Sequence, residues 1–348
     1  TKNIEDQYIT PQNNILPEDF FDTMLWIGNA PSTQTINQLQ FSPNFIWLKN
    51  RDHSDWNNIF DTVRGRLNRL STNETDDENS YTDDTSAVLT AITSNGFSVG
   101  TNSNSNRVDD NFVAWNWKAG GDAPTQTYTV KVVADGGNKY RFDDFGTSAV
   151  TLDLQEGGTY IFNMDDSSNA NHPFSIGTGA NATVYTSGIT YFLDGVSKTY
   201  AQYTSGFALA STRRLHFTVP TSAPVLYYWC SVHSGMGGQI NTNVNHGSSN
   251  FLGSIQSTVS ANTFSGMSIV TYTGTGGDQT FGHGLSGADM VIVKCRSHNS
   301  TLWAVTHKDV PASKYLNLES TIGETDSESM WNSTHPSSTV VSIGGSSH

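Results

Sequence analysis

The sequence predicts an all-β chain of tandem β-sandwich modules, and three observations carry that reading. One passage is written twice, about 245 residues apart. Charged residues make up only 14% of the chain while Gly numbers 31, and Ser, Thr and Asn fill much of the remainder, which leaves little for long amphipathic helices. Short runs of β-branched and aromatic residues recur between Gly, Asn, Asp and Pro clusters, the spacing of a sandwich. At 348 residues the chain suits two or three domains, each large enough for its own core.

The repeat runs as follows. The first copy has Ile27-Gly28, Thr35-Ile36, Leu39 and Phe45-Ile46-Trp47-Leu48-Lys49-Asn50-Arg51-Asp52-His53, and the second has Thr273-Gly274, Thr280-Phe281, Leu285 and Met290-Val291-Ile292-Val293-Lys294-Cys295-Arg296-Ser297-His298. Lys, Arg and His fall in register, which points to a shared structural role for them rather than to an anion site. Gly96-Phe97-Ser98-Val99-Gly100 is echoed by Val340-Val341-Ser342-Ile343-Gly344. An aromatic strand, Phe112 to Lys118, closes the first copy; His348 comes before any counterpart, so the expectation is that the sequence is a fragment.

In chain order, residues 1–19 read as a polar arm or linker with Pro11 and Pro17. Residues 20–121 read as the first module, with short strands, one helical turn near Ile59 to Leu70, and an acidic loop from Ser71 to Thr85. Gly120-Gly121-Asp122-Ala123-Pro124 is a boundary by turn chemistry, and Tyr128 to Val133 alternates beyond it as a half-buried or edge strand. An inserted domain then spans 125–245, with strands expected at 139–142, 149–154, 159–163, 173–176, 214–219, 226–229 and 239–243. Residues 250–348 are the second copy of the module.

The net charge of −14, with acidic pairs such as Asp76-Asp77, Asp109-Asp110 and Asp165-Asp166, excludes the clustered basic surface of a nucleic-acid binder. Those pairs read as solvated loop faces, since no EF-hand spacing accompanies them. No apolar run is long enough to cross a bilayer as a helix. The two cysteines, Cys230 and Cys295, fall in different domains, so a disulfide framework is not expected. No phosphate-binding glycine loop precedes a helix, and no carboxylate accompanies Cys230 and His233 as a thiol enzyme's triad would need; no enzymatic activity is expected. Trp26, Trp56 and Trp303 are candidates for stacking on sugars, set against the commoner use of Trp as core.

One constellation carries chemistry. Cys230, His233 and Met236 come at three-residue steps on a loop between two strands, and His172 opens an earlier strand. A thiolate, two imidazoles and a thioether are the ligand set of a type 1 copper site, because soft sulfur selects copper. The alternative is a metal-free spacer, with Cys230 a small buried thiol, Met236 core filler and the histidines bonded to carbonyls.

Residues 125–245 resemble the cupredoxin family: the Cys-x-x-His-x-x-Met loop, Glu156 to Phe162 as its Gly-containing turn and strand, and Leu226 to Cys230 as its aromatic strand. The resemblance implies a Greek-key sandwich binding one copper ion, with His172, Cys230 and His233 as equatorial ligands and Met236 axial. Phe41 to Arg51, Phe60 to Gly65 and Phe112 to Gly121 are similar to a module of tailed-phage virion proteins, particularly those of marine phages and cyanophages. The second copy departs from the Phe-Asp-x-x-Arg-Gly segment at Val305 to Asp309. That likeness implies a virion structural protein: a tail fibre, head or neck appendage, or decoration protein. It further implies other virion proteins as partners, homo-oligomerisation favouring a trimer, attachment to host surface polysaccharide, and no nucleic-acid or membrane partner. Two other readings stand beside it, a secreted electron-carrying cupredoxin and a polysaccharide-binding module.

Overall fold

The computed structural model describes residues 16–120, 123–243 and 245–345, and their regular secondary structure is nearly all β-strand. The first segment opens on a short 3-10 turn at Pro17–Asp19; the rest of the expected N-terminal arm, residues 1–15, lies outside the described residues. Its strands are β1 (Phe21–Ile27), β2 (Gln34–Ile36), β3 (Phe45–Asn50), β4 (Asn58–Asp61), β5 (Asn68–Ser71), β6 (Asn79–Ser80), β7 (Leu89–Thr93), β8 (Gly96–Val99) and β9 (Asn111–Trp117), with one helical turn, α1 (Ser103–Asn106), before the last. Sheets β1-β9-β3-β4-β5-β6 and β2-β8-β7 face each other, because alternate residues of each strand point to one side. Met24, Trp26, Ile46, Leu48, Phe112 and Ala114 thereby meet Ile36, Phe97 and Val99 in one core.

The helical turn expected near Ile59 to Leu70 is instead the β4-turn-β5 hairpin. Asp61 accepts the backbone N–H groups of Val63 and Arg64 at 3.0 and 2.8 Å, and Gly65 takes a φ of 94°, a combination that turns the chain instead of coiling it. Two further expectations are corrected. Trp26 and Trp303 are 8% and 4% exposed, so they are core residues and not sugar platforms, while the more open Trp56 is covered by the Arg69 guanidinium 3.9 Å from its ring. Asp110 is no solvated loop face: it is buried, accepting from Asn50 at 2.8 Å and paired with Arg107.

The middle segment holds β10 (Thr125–Ala134), β11 (Asn138–Phe142), β12 (Leu152–Gln155), β13 (Thr159–Asn163), β14 (Phe174–Gly177), β15 (Ile189–Leu193), β16 (Val196–Lys198), the helix α2 (Tyr200–Gly206), β17 (Arg213–Thr218), β18 (Leu226–Cys230) and β19 (Gly238–Asn243). The sheets β11-β10-β13-β17-β15-β16 and β12-β19-β18-β14 enclose the largest core, centred on Tyr128, Phe142, Phe162, Phe174 and Tyr228. Two pairs, β10 with β13 and β12 with β19, are parallel. β10 pairs with β13 through Thr125 to Thr129 and with β11 through Val130 to Ala134.

The last segment holds β20 (Ser248–Asn250), β21 (Ser257–Asn262), β22 (Met267–Tyr272), β23 (Gln279–Gly282), β24 (Met290–Lys294), β25 (Trp303–His307), β26 (Lys314–Asn317), β27 (Thr325–Asp326) and β28 (Val340–Ile343). When Thr35-Ile36 is set on Thr280-Phe281, pairing registers coincide: Gln34, Thr35 and Ile36 oppose Val99, Ser98 and Phe97, and Gln279, Thr280 and Phe281 oppose Ile343, Ser342 and Val341. Both repeated lysines pin the loop that follows their strand, Lys49 to Asn57 at 2.8 Å and Lys294 to the Thr301 carbonyl at 2.8 Å.

The flanking segments also grip each other directly. Trp303 packs with Ile59 and Leu70 and donates its indole N–H to the Ser71 and Glu74 carbonyls at 2.9 and 3.1 Å. Arg296 donates to both Glu78 oxygens, one of which, Oε2, also receives Arg64 at 2.8 Å. Ile269 packs on Val63 and Ala119. The middle sandwich joins this assembly through Ser249, whose carbonyl accepts from Tyr128 at 2.9 Å and whose hydroxyl accepts the Asp153 N–H at 2.8 Å.

Candidate metal centre

Cys230 is the last residue of β18, and its strand partner across the sheet is Phe174 of β14. That pairing places His172, two residues before Phe174, beside the cysteine. The approach is fixed by backbone hydrogen bonds: Ser231 N donates to the Pro173 carbonyl at 3.0 Å and His172 N to the Asn169 carbonyl at 2.8 Å. Asn169 ends a 3-10 turn capped by Asp166 and is itself anchored by its buried amide, which donates to the Val130 carbonyl at 2.7 Å. Tyr140 donates its hydroxyl to the His172 carbonyl at 2.8 Å.

The loop from Ser231 to Gly237 brings the other groups back. Gly235 takes a φ of 73°, the left-handed turn that glycine adopts without strain. Its carbonyl accepts from the Lys139 ammonium, and the Met236 carbonyl accepts the Tyr140 N–H at 2.9 Å. At Gly237 the loop passes so close to β18 that a Cβ would lie 1.6 Å from the Tyr228 carbonyl oxygen.

Three of the four expected ligands converge. The ligand atoms of His172, Cys230 and His233 lie within 4.8 Å of one another. The Cys230 sulfur is 3.7 Å from Nδ1 of His172 and 3.7 Å from Nδ1 of His233, and the two imidazole rings are 4.6 Å apart. Met236 is 1% exposed and belongs to the same core as Cys230, which is 2% exposed. His233 is open to solvent and His172 is half-buried. Burial, reinforced by the neighbouring His233, lowers the His172 pKa from its ordinary value and so keeps the ring neutral and able to donate a lone pair. Burial also raises the Tyr140 phenol, with the adjacent Cys230 adding to the effect, so that Tyr140 keeps the proton it donates to the His172 carbonyl.

These positions fit a metal ion. An ion about 2.3 Å from sulfur and about 2.0 Å from nitrogen, in a plane with 120° between ligands, sets sulfur and nitrogen roughly 3.7 Å apart. The observed distances match that figure for both histidines. With no carboxylate in the group, a softer metal is favoured over calcium or magnesium.

The other cysteine does not join this site. Cys295 lies 3.6 Å from His298 Nδ1 on a loop of the last segment, and both cysteines are free thiols. The supporting residues Tyr140 and Asn169 carried no local signal in the sequence, since their roles depend on partners 32 and 39 residues away.

The family model of a domain of unknown function, DUF7483, matches residues 16–136 and 204–348. The chain belongs to this family. The match to DUF7483 takes in Cys230, His233 and Met236, while His172 lies in the stretch between its two matched parts. No curated protein matches the chain.

Proposed function

We propose that this DUF7483 protein is a non-catalytic structural component of a tailed-phage virion whose central, cupredoxin-like sandwich binds one copper ion. The observation that carries the metal assignment is the pair of equal sulfur-to-nitrogen distances at Cys230, each matching a trigonal ion. His172, Cys230 and His233 would hold the ion, with Met236 as the axial thioether. A bound copper supplies a site that can pass an electron. In a structural protein, its consequence is the stability that any ion selective for the native state confers.

The virion role rests on the likeness of residues 20–121 to phage structural modules and is supported by the way the flanking segments lock together. Interfaces built on buried Trp303 and the Arg64, Glu78 and Arg296 cluster suit a rigid appendage. Within such a particle we place the protein as an oligomer among other virion proteins. A soluble electron carrier would need an apolar docking patch around its exposed histidine; on the loop beside His233 the neighbours are Ser231, Ser234, Gly235 and the single apolar Val232.

Copper titration of the purified protein tests the metal site. An intense visible absorption band at one equivalent, absent in Cys230→Ser, is expected; a wild type that binds no copper, or a band that survives the substitution, refutes the assignment. Mass spectrometry of particles from a phage encoding the chain tests the virion role, and its absence from them refutes that role independently.

A further inference from the structure

Where the three segments meet they leave a cleft of about 630 Å³, walled by Gly120 of the first segment, Gln126 and Gln155 of the middle one, and Ser260 and Phe264 of the last. Its volume lies within the range of small-molecule sites, about 300–1,000 Å³. Two of its polar residues are nearly buried yet keep hydrogen-bonding capacity in hand. Gln155 is 6% exposed; its amide oxygen accepts the Gly247 N–H at 3.2 Å, while its NH₂ group meets no acceptor among the described residues and is not sealed inside protein either. Ser260 is also 6% exposed. Its hydroxyl has no hydrogen-bond partner among the described residues, is likewise not sealed in, and lies against Gly120, where a Cβ would be 2.0 Å from the oxygen. Gln126 adds the complementary group: its NH₂ donates to the Ser249 carbonyl at 3.1 Å, which leaves its oxygen to accept. Groups this deep are ordinarily paired, so a donor, an acceptor and a hydroxyl left over along one cleft call for an occupant that does both.

Beside them stands an aromatic ring that packing does not explain. Phe264 is 74% exposed, at the tip of the hairpin between β21 and β22. The tip is held in place: the Asn262 side-chain oxygen accepts the N–H groups of Phe264 and Ser265 at 3.0 and 3.2 Å, and the Ser265 hydroxyl donates to the Lys118 carbonyl at 2.9 Å. The ring is therefore presented at the cleft by a braced turn.

We propose that this cleft binds an uncharged saccharide, with one sugar ring laid against Phe264 and its hydroxyl groups bonded to Gln155, Gln126 and Ser260. Sugar hydroxyls donate and accept at once, which suits an amide NH₂, an amide oxygen and a hydroxyl together, and the C–H face of a sugar ring suits the negative face of an aromatic one. The charge of the lining selects against other ligands. Among the described residues no carboxylate lines the cleft to attract a cation, and Lys118, its one ionisable residue, already has a partner. A purely apolar ligand would cover Gln155 and Ser260 and leave them unpaired. Neither the copper ion nor a place in a particle is needed for this binding.

The test presents the full chain to an array of neutral and acidic oligosaccharides and measures the bound ones again, free in solution, by calorimetry. Neutral oligosaccharides should bind. The bound sugar should slow hydrogen exchange in 248–250 and 257–262, which border the cleft, and leave 290–294 as it was. Phe264→Ser, a change at an exposed position, should weaken binding at least about tenfold, and Ser260→Ala about threefold to tenfold, the worth of one hydrogen bond. A cleft that holds water alone, with no neutral oligosaccharide bound, overturns the proposal. So does tighter binding of the acidic ones, slowed exchange away from these walls, or affinity that survives both substitutions.

Discussion

Replacing Trp303 with Ala should loosen the first module, although Trp303 belongs to the last. Its ring fills the space between Ile59 and Leu70, and its N–H serves the carbonyls of Ser71 and Glu74. A buried Trp hides about 150–250 Å², worth about 4–6 kcal/mol at about 25 cal/mol per Å²; core Trp→Ala changes cost about 3–5 kcal/mol. Both routes give a loss of about 4 kcal/mol. Since a multidomain chain need not unfold in one step, hydrogen exchange read strand by strand is the proper assay. Protection should fall at 58–71 and 303–307, and stay unchanged at 226–230 in the middle sandwich. Trp303→Phe, which keeps most of the packing but removes the donor, should recover more than half of the loss. Wild-type exchange at 58–71 in the Ala variant would refute the claim that this ring joins the modules.

Three further outcomes are expected. Glu78→Gln should cost about 2 kcal/mol in urea unfolding, because Arg64 keeps Asp61 as a partner but loses one of two carboxylates in a buried setting. Burial alone would raise the Glu78 carboxyl, but hydrogen bonds from Arg296 and Arg64 outweigh it and hold the pKa below its ordinary value of 4.5. The wild type's added stability from this group is therefore present above pH 4.5 and lost as the pH falls through the lower folded value, whereas the variant should show no such loss from this site. Gly237→Ala should displace the metal loop, since the new methyl meets the Tyr228 carbonyl; we expect about 1–3 kcal/mol of destabilisation and a weakened copper band on titration. Finally, the His172 pKa lies below its ordinary 6.5, so the unfolded chain takes up its proton first: metal-free protein should lose stability as pH falls below 6.5, and His172→Gln should flatten that dependence in thermal melts.

The all-β class and most strands were legible because alternation survives in single segments: Thr159–Asn163 and Leu226–Cys230 each fill their own sheet position as the pattern implies. The stretch from Ile189 to Gly206 was not read, although Asp194-Gly195 between apolar residues is a strong hairpin signal and both take positive φ, 48° and 75°. Near Ile59 to Leu70, where one helical turn was expected, the capping by Asp61 and the turn at Gly65 exclude it. For the candidate site, residue types pointed to His172, and the three-residue steps to Cys230 and His233, which the structure brings together. What no local pattern could provide was the pairing of Phe174 with Cys230 that brings His172 alongside.

The clasp between the flanking segments also bears on how the chain reaches its native state. Glu78 and Arg296 are 218 residues apart, and Trp303 and Ser71 are 232. Closing so long a loop from a fully unfolded chain costs entropy that grows with its length, and such distant pairings slow folding. Most of that loop is the middle sandwich, which has its own core and whose first strand starts close to where the last segment begins, Tyr128 bonding to Ser249. Once it has formed, it acts as a shortcut: the ends of the two flanking segments are delivered side by side, and the remaining search is between neighbours. Substitutions that weaken this core would then appear first as slow assembly of the outer interface, well before any loss at the interface itself.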